Sequence, residues 1–203
     1  MKSLYRLIAV CGVTVLVSSG AYAEDWQLAK DEQGIKVWLS DVAGSKYKAY
    51  RGVTVIDASV ERLRALQEDV VGACAWIHEC ESQKLLKHEG DKAWTYTRFK
   101  TPWPVTPRDS VLEVTTRQEA DGSLRRTLVE KPTYVPEEKG YVRVAEVEGF
   151  WQLTPKGPNR TEVTYQVHTD PGGSVPSWLS NKFVVDAPFN TLKALKERAA
   201  AKP

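Results

Sequence analysis

The chain has 203 residues, 42% of them hydrophobic and 27% charged, with 13 glycines and 11 prolines. That is the composition of one ordinary globular domain rather than of a collagen-like, coiled-coil or disordered chain. The formal charge of +2 comes from Lys2 and Arg6, the only charges in the first 23 residues; without them 26 basic residues meet 26 acidic ones, so the domain is neutral and lacks the basic stripe that a nucleic-acid partner requires.

Residues 1–23 read as an export signal. A basic start precedes an apolar run from Leu7 to Val17, the small residues Ser18, Ser19 and Gly20, and an A-x-A cleavage pattern at Ala21-Tyr22-Ala23. The apolar run is shorter than the roughly 20 residues that span a bilayer. Cleavage after Ala23 would remove Cys11 and the single Met, leaving one domain over 24–203.

Within that domain, Trp26 to Lys30 and Ile35 to Leu39 alternate on both sides of a polar, glycine-containing turn, which predicts a hairpin, and Tyr47 to Ile56 supplies a third strand. Asp57 or Ser59 caps a short helix from Val60, with Leu63, Leu66 and Val70 on its apolar side, ending by Gly72. Cys74 and Cys80 are an even pair expected to form a disulfide in an oxidising compartment. So short a loop contributes roughly 2 kcal/mol in the chain-entropy account and pins a local turn. A metal site with His78 and His88 is the rival, but the spacing Cys74, His78, Cys80 matches no usual zinc pattern, and no metal or cofactor is expected.

Strand-like stretches follow at Gln83–His88, Ala93–Lys100, Ser110–Thr116, Leu124–Glu130, Tyr141–Leu153 and Thr161–Thr169. After Pro171-Gly172-Gly173 the period changes: Ser174 caps a helix with Pro176 in its first turn, where a missing N–H does no harm. Trp178, Val185, Phe189 and Leu192 follow at near-helical spacing, flanked by Leu179, Phe183 and Leu195, and Pro188 is expected to bend the helix. The fold class is therefore α+β: a curved antiparallel sheet of about nine strands closed by one long C-terminal helix, with each element's apolar face turned to the other. Any gap between them suits a small apolar ligand.

Strand parity identifies the side chains that face this gap, because alternate residues point to opposite faces. Ala145, Val147, Gly149, Trp151 and Leu153 form one inward set, and Val163, Tyr165 and Val167 another, which leaves His168 outside. Arg108 shares parity with Leu112 and Val114. An unpaired charge there costs several kcal/mol, so two readings stand: a structural ion pair with Asp109 or Glu130, or a polar anchor for a ligand. Arg98 shares parity with Trp94 and Tyr96 and lies near the gap if those aromatics are interior. The seven tryptophans sit beside aliphatic residues on strands and on the terminal helix, as core packing requires, rather than as a stacking platform for sugars or bases.

Several of these segments together carry a likeness. Gly34-Ile35-Lys36-Val37-Trp38, Trp94-Thr95-Tyr96, Pro102-Trp103-Pro104-Val105 with Pro107-Arg108-Asp109, Gly149-Phe150-Trp151, and His168 to Pro176 with its Asp170-Pro171-Gly172-Gly173 core occur in the order seen in the START lipid-transfer family. The chain resembles the bacterial exported form of that family over nearly all of residues 25 to 198. The resemblance implies a helix-grip fold, a tunnel for one lipid or sterol lined by an Arg at position 108, a terminal helix that helps to gate it, and a periplasmic setting. Some sterol-binding members pair that Arg with an acid in the preceding strand, where this chain has Arg98. A second basic group suits a fatty acid, a phospholipid or another anionic amphiphile.

The expected function is that of a noncatalytic, monomeric carrier of a lipid or other hydrophobic molecule, in transient contact with membranes. Its ligand-binding residues would be Arg108, Arg98, Tyr96, Trp151, Tyr165, Trp178, Val185 and Phe189. Two alternatives stand beside it. One is an aromatase/cyclase-like or hydrolase-like enzyme of the same broad fold, which needs an acid or base inside the cavity; the other is an envelope interaction module with a filled core.

Overall fold

The computed structural model describes residues 25–175 and 177–201, apart from the side chains of residues 177, 178 and 181. The expected signal segment and its cleavage site lie outside these residues. Three strands open the fold: β1 (Gln27–Glu32), β2 (Ile35–Ser40) and β3 (Ala49–Ile56). Helix α1 (Val60–Glu68) follows, with the Ser59 hydroxyl accepting from the Arg62 N–H as its N-cap, so Ser59 rather than Asp57 starts it. A single 3-10 turn (Gly72–Ala75) leads into β4 (Cys80–Glu89), and β5 (Lys92–Phe99), β6 (Arg108–Gln118) and β7 (Leu124–Glu130) continue the meander. The Cys74–Cys80 disulfide ties the 3-10 turn to the first residue of β4.

The stretch expected as one strand from Tyr141 to Leu153 is two: β8 (Val142–Arg143) and β9 (Glu146–Gly157). The break reverses the parity of the first part, so Val144 is buried and Ala145 exposed, whereas Val147, Trp151 and Leu153 keep the inward face assigned to them. Strand β10 (Arg160–Asp170) and helix α2 (Ser177–Ala200) complete the chain. The helix is described from Ser177, three residues beyond the expected cap at Ser174, and runs without a break through Pro188.

Ten strands form one sheet in the order β1-β2-β3-β10-β9-β7-β6-β5-β4, and β8 adds to β6. Every pair is antiparallel except β6 with β8. Helix α2 lies on β2 and β3, where Phe189, Leu192 and Leu195 enter the core beside Ile35, Val37 and Tyr50. Gly52 permits this approach: a Cβ there would sit 2.6 Å from Leu192 Cδ1 and 3.3 Å from Pro188 Cβ. The sheet thus holds the terminal helix at one end, and a cavity opens where sheet and helices diverge. Among the described residues no helix is long and apolar enough to cross a membrane.

A cavity with two buried arginines

The space between sheet and helices is a cavity of about 720 Å³, within the range of small-molecule sites. Its sheet side is built from inward positions of β5, β6, β7, β9 and β10, including Thr95, Leu112, Val114, Leu128, Val147, Trp151, Tyr165 and Val167. Its other side is α1 (Arg64, Gln67), the segment around Trp76, Ile77 and His78, and the first half of α2. The disulfide fixes the start of β4 beneath that middle segment, and the His78 N–H donates to Thr191 Oγ1 at 3.1 Å, joining it to α2.

Trp151 and Tyr165, both assigned inward from the sequence, stack at 3.8 Å in the floor of the cavity, with Trp76 edge-on to Trp151 at 6.0 Å and Tyr50 edge-on to Tyr165 at 5.4 Å. Burial raises the phenols of Tyr50 and Tyr165 above their ordinary value, so both are neutral hydroxyls at physiological pH. Burial lowers the His78 imidazole below its ordinary value and favours its neutral form.

Arg108 is 5% exposed and lines the cavity together with Ser110, Leu112 and Val114, as the parity of β6 requires. Neither expected carboxylate pairs with it. Asp109 is held by Arg143 in a two-pronged pair, Nε to Oδ1 and Nη2 to Oδ2, each at 2.9 Å. Glu130 accepts from Ser110 Oγ at 2.6 Å and the Val111 N–H at 2.7 Å. Arg108 instead donates to two backbone carbonyls, Thr106 O and Gly172 O, and its Nε has no hydrogen-bond partner. Gly172 can present that carbonyl because its backbone is left-handed, with φ +68°, and a Cβ would lie 2.6 Å from Arg143 O. Burial lowers the guanidinium from its usual value.

Arg98 and Tyr96 face away from the cavity. On β5 it is Ala93, Thr95, Thr97 and Phe99 that line it, while Trp94, Tyr96 and Arg98 lie on the outer face under the segment 131–141. Tyr134 stacks on Trp94 at 5.9 Å, Glu138 pairs with Arg98, and the Tyr96 hydroxyl lies 2.7 Å from Glu138 and 2.9 Å from Asp109. Arg143 binds the carbonyls of Pro132, Val135 and Pro136 and so fastens that segment down. Both faces of β5 are therefore covered, and aromatic burial alone does not identify the inner one.

On α2 the cavity is lined by Leu179, Ser180, Phe183, Val184, Ala187 and Thr191. Val185 points to neither cavity nor core cluster, and Phe189 packs into the core, with Lys30 Nζ 4.0 Å from its ring centroid. The side chain of Trp178 lies outside the described residues. The helix is rotated by one residue, about 100° at 3.6 residues per turn, from the face expected to meet a ligand.

A second buried arginine, Arg126 on β7, was absent from the expected site. It is 8% exposed and lines the cavity. Nε donates to Thr116 Oγ1 at 3.2 Å and Nη1 to Gln67 Oε1 at 3.3 Å. Burial lowers its pKa to about 10, which leaves it charged near neutral pH. The sequence held its signal, since Arg126 shares strand parity with Leu124 and Leu128.

A family model described as START domain matches residues 16–201. An uncharacterized protein of Pseudomonas aeruginosa is 58% identical over 199 residues, covering 98% of each chain. The crystal structure of a STAR-related lipid transfer protein from Xanthomonas axonopodis superposes with a TM-score of 0.81 at 37% identity, covering 87% of this chain and 99% of that one. The phosphatidylcholine transfer protein of Mus musculus is 27% identical over 181 residues, covering 83% of this chain and 81% of that protein.

Proposed function

The chain belongs to the START domain family, and from that premise we propose that it is an exported, noncatalytic carrier that holds one lipid in the cavity between sheet and helices. The observation that carries this reading is Arg108: a guanidinium buried in an otherwise largely apolar cavity, with backbone carbonyls and no carboxylate as its partners. A ligand head group bearing an oxygen acceptor would complete its hydrogen bonding, and the aliphatic and aromatic walls would take the hydrocarbon part. The relatives whose names speak of lipid and phosphatidylcholine transfer support the same class of cargo.

In this reading the half of α2 before Pro188 serves as the movable cover, because the half after it is anchored in the core. The signal segment is removed after Ala23, and the carrier works as a monomer in the periplasm, touching membranes only to load and unload. Native mass spectrometry of the purified protein is expected to show one amphiphile per chain, and the absence of any amphiphile would overturn the reading. Arg108→Leu should fold and take up less ligand; uptake equal to that of the unaltered protein would assign Arg108 a structural role. A purified protein still carrying residues 1–23 would refute the export step, and turnover of the bound molecule would replace the carrier by an enzyme.

A further inference from the structure

Arg108 opens β6, and Arg126 faces Thr116 near the other end of the same strand. Eight residues of extended chain separate these two positions, about 26 Å at 3.3 Å per residue. The cavity therefore has a buried cation toward each end and apolar walls between them. The end near α1 differs from the Arg108 end in its acceptors, which are the side chains of Thr116 and Gln67.

At this end the Glu68 carboxylate also lines the cavity, but the groups left unpaired beside Arg126 are hydrogen-bond donors. Gln67 is 7% exposed and lines the cavity; its Oε1 is used by Arg126, and its Nε2 is buried without a hydrogen-bond partner. The unpartnered atom of the amide is its NH2 nitrogen, and a guanidinium has no acceptor at all. Among the described residues no carboxylate lies within 4.0 Å of Arg126: Glu68, on the same side, is engaged by Arg64 at 2.8 Å. A buried cation with only neutral partners is unfavourable, and an oxyanion beside it would satisfy both the charge and the unused amide.

We propose that Arg126 and Gln67 form a second recognition point in the cavity, at the α1 end, for an anionic oxygen group, so that the ligand is an amphiphile carrying a carboxylate or phosphate at that end. The inference rests on the carrier reading and specifies its cargo: an acidic group is read at Arg126, where the unused Gln67 amide adds a second donor.

The test pairs acids with neutral molecules of the same chain length, titrated against the purified protein by tryptophan fluorescence: hexadecanoate against its methyl ester, and hexadecyl phosphate against hexadecanol. The arm that shows the preference names the acidic group. The protein should bind that acid more than about tenfold tighter than its neutral partner, as a difference above 1.4 kcal/mol implies. Arg126→Met should bring the ratio to within about twofold, and Arg126→Lys should retain most of it, since a charge remains. Because Arg126→Met could fail to fold, Gln67→Glu provides an independent arm: it supplies the anion from within the protein and should abolish the preference equally. A preference that survives both variants and vanishes in Arg108→Leu would overturn the inference and leave the carrier reading standing. So would binding of all four probes with no preference for acids. Binding of none of them would defeat the carrier reading and this inference with it.

Discussion

Glu130 provides a test in which the magnitude follows from the structure. Strand β7 pairs with β6 as far as Leu112, and β8 takes over at Asp109 and Arg108. Between them the Val111 N–H is met by the Glu130 carboxylate, which also receives Ser110 Oγ. Burial is the dominant influence on this group and raises its pKa from 4.5 to about 7, against the opposing effects of its two donors and of Arg143. The folded state therefore holds a proton between these values that the unfolded chain has already released. Stability from this group is fully present below 4.5, falls as pH rises toward 7, and is level above it. At about 1.4 kcal/mol per pH unit, the loss is roughly 3 kcal/mol. Glu130→Gln keeps an acceptor for Val111 and places an amide against the Ser110 hydroxyl, which can accept from it. Urea unfolding of both proteins from pH 4.5 to 8 should give curves that nearly meet at the acid end and separate by roughly 3 kcal/mol at pH 8, with the variant the more stable. Other titrating groups, His78 included, are common to both and cancel in the difference. Parallel curves, or a variant less stable at pH 8, would refute the assignment of a buried, reluctantly ionised carboxylate.

Two further substitutions probe the frame around the cavity. Arg143→Met leaves the Asp109 carboxylate, which is 1% exposed, without its cation and with the Tyr96 hydroxyl as its remaining side-chain donor; breaking such a pair costs about 3–5 kcal/mol. Hydrogen exchange should then show residues 131–141 opening, and an unchanged unfolding midpoint would contradict the role given to that pair. Gly52→Ala places a Cβ 2.6 Å from Leu192 Cδ1 and is expected to cost about 1–3 kcal/mol by overpacking, measured by urea denaturation; a neutral outcome would mean that α2 is not held against β3 at this point.

The sequence is most informative where one face of a strand meets the core and the other meets solvent. On β10, Val163 and Val167 are buried while Glu162 and His168 are less so, and alternation alone separates them. On β5 it fails, because Tyr96 and Thr97 are both buried, one under the segment 131–141 and the other in the cavity wall. That segment is anchored by Arg143 on β8 through backbone carbonyls that carry no residue-type signature. Arg126 is the opposite case. Its inward parity between Leu124 and Leu128 is plain in the chain, but a cation in that position contradicts the usual preference of charged residues for solvent. What makes the position tenable is Gln67, 59 residues earlier on α1.

Helix α2 shows why a regular period can locate an element without identifying its working side. Phe189, Leu192 and Leu195 enter the core, whereas Ser180, Val184, Ala187 and Thr191 line the cavity. A helix that serves both has buried positions on two stripes, and its polar residues are not confined to one opposite face. Pro188 lies where the lining and docking stretches meet, and it removes the N–H that would bond the Val184 carbonyl. In the sequence the proline marks a break. In the fold it lies against Gly52, the one position on β3 where the absence of a side chain lets the helix approach. The pairing of Pro188 with Gly52 is a long-range fact, and it sets the rotation of α2, and thereby which residues reach the cavity.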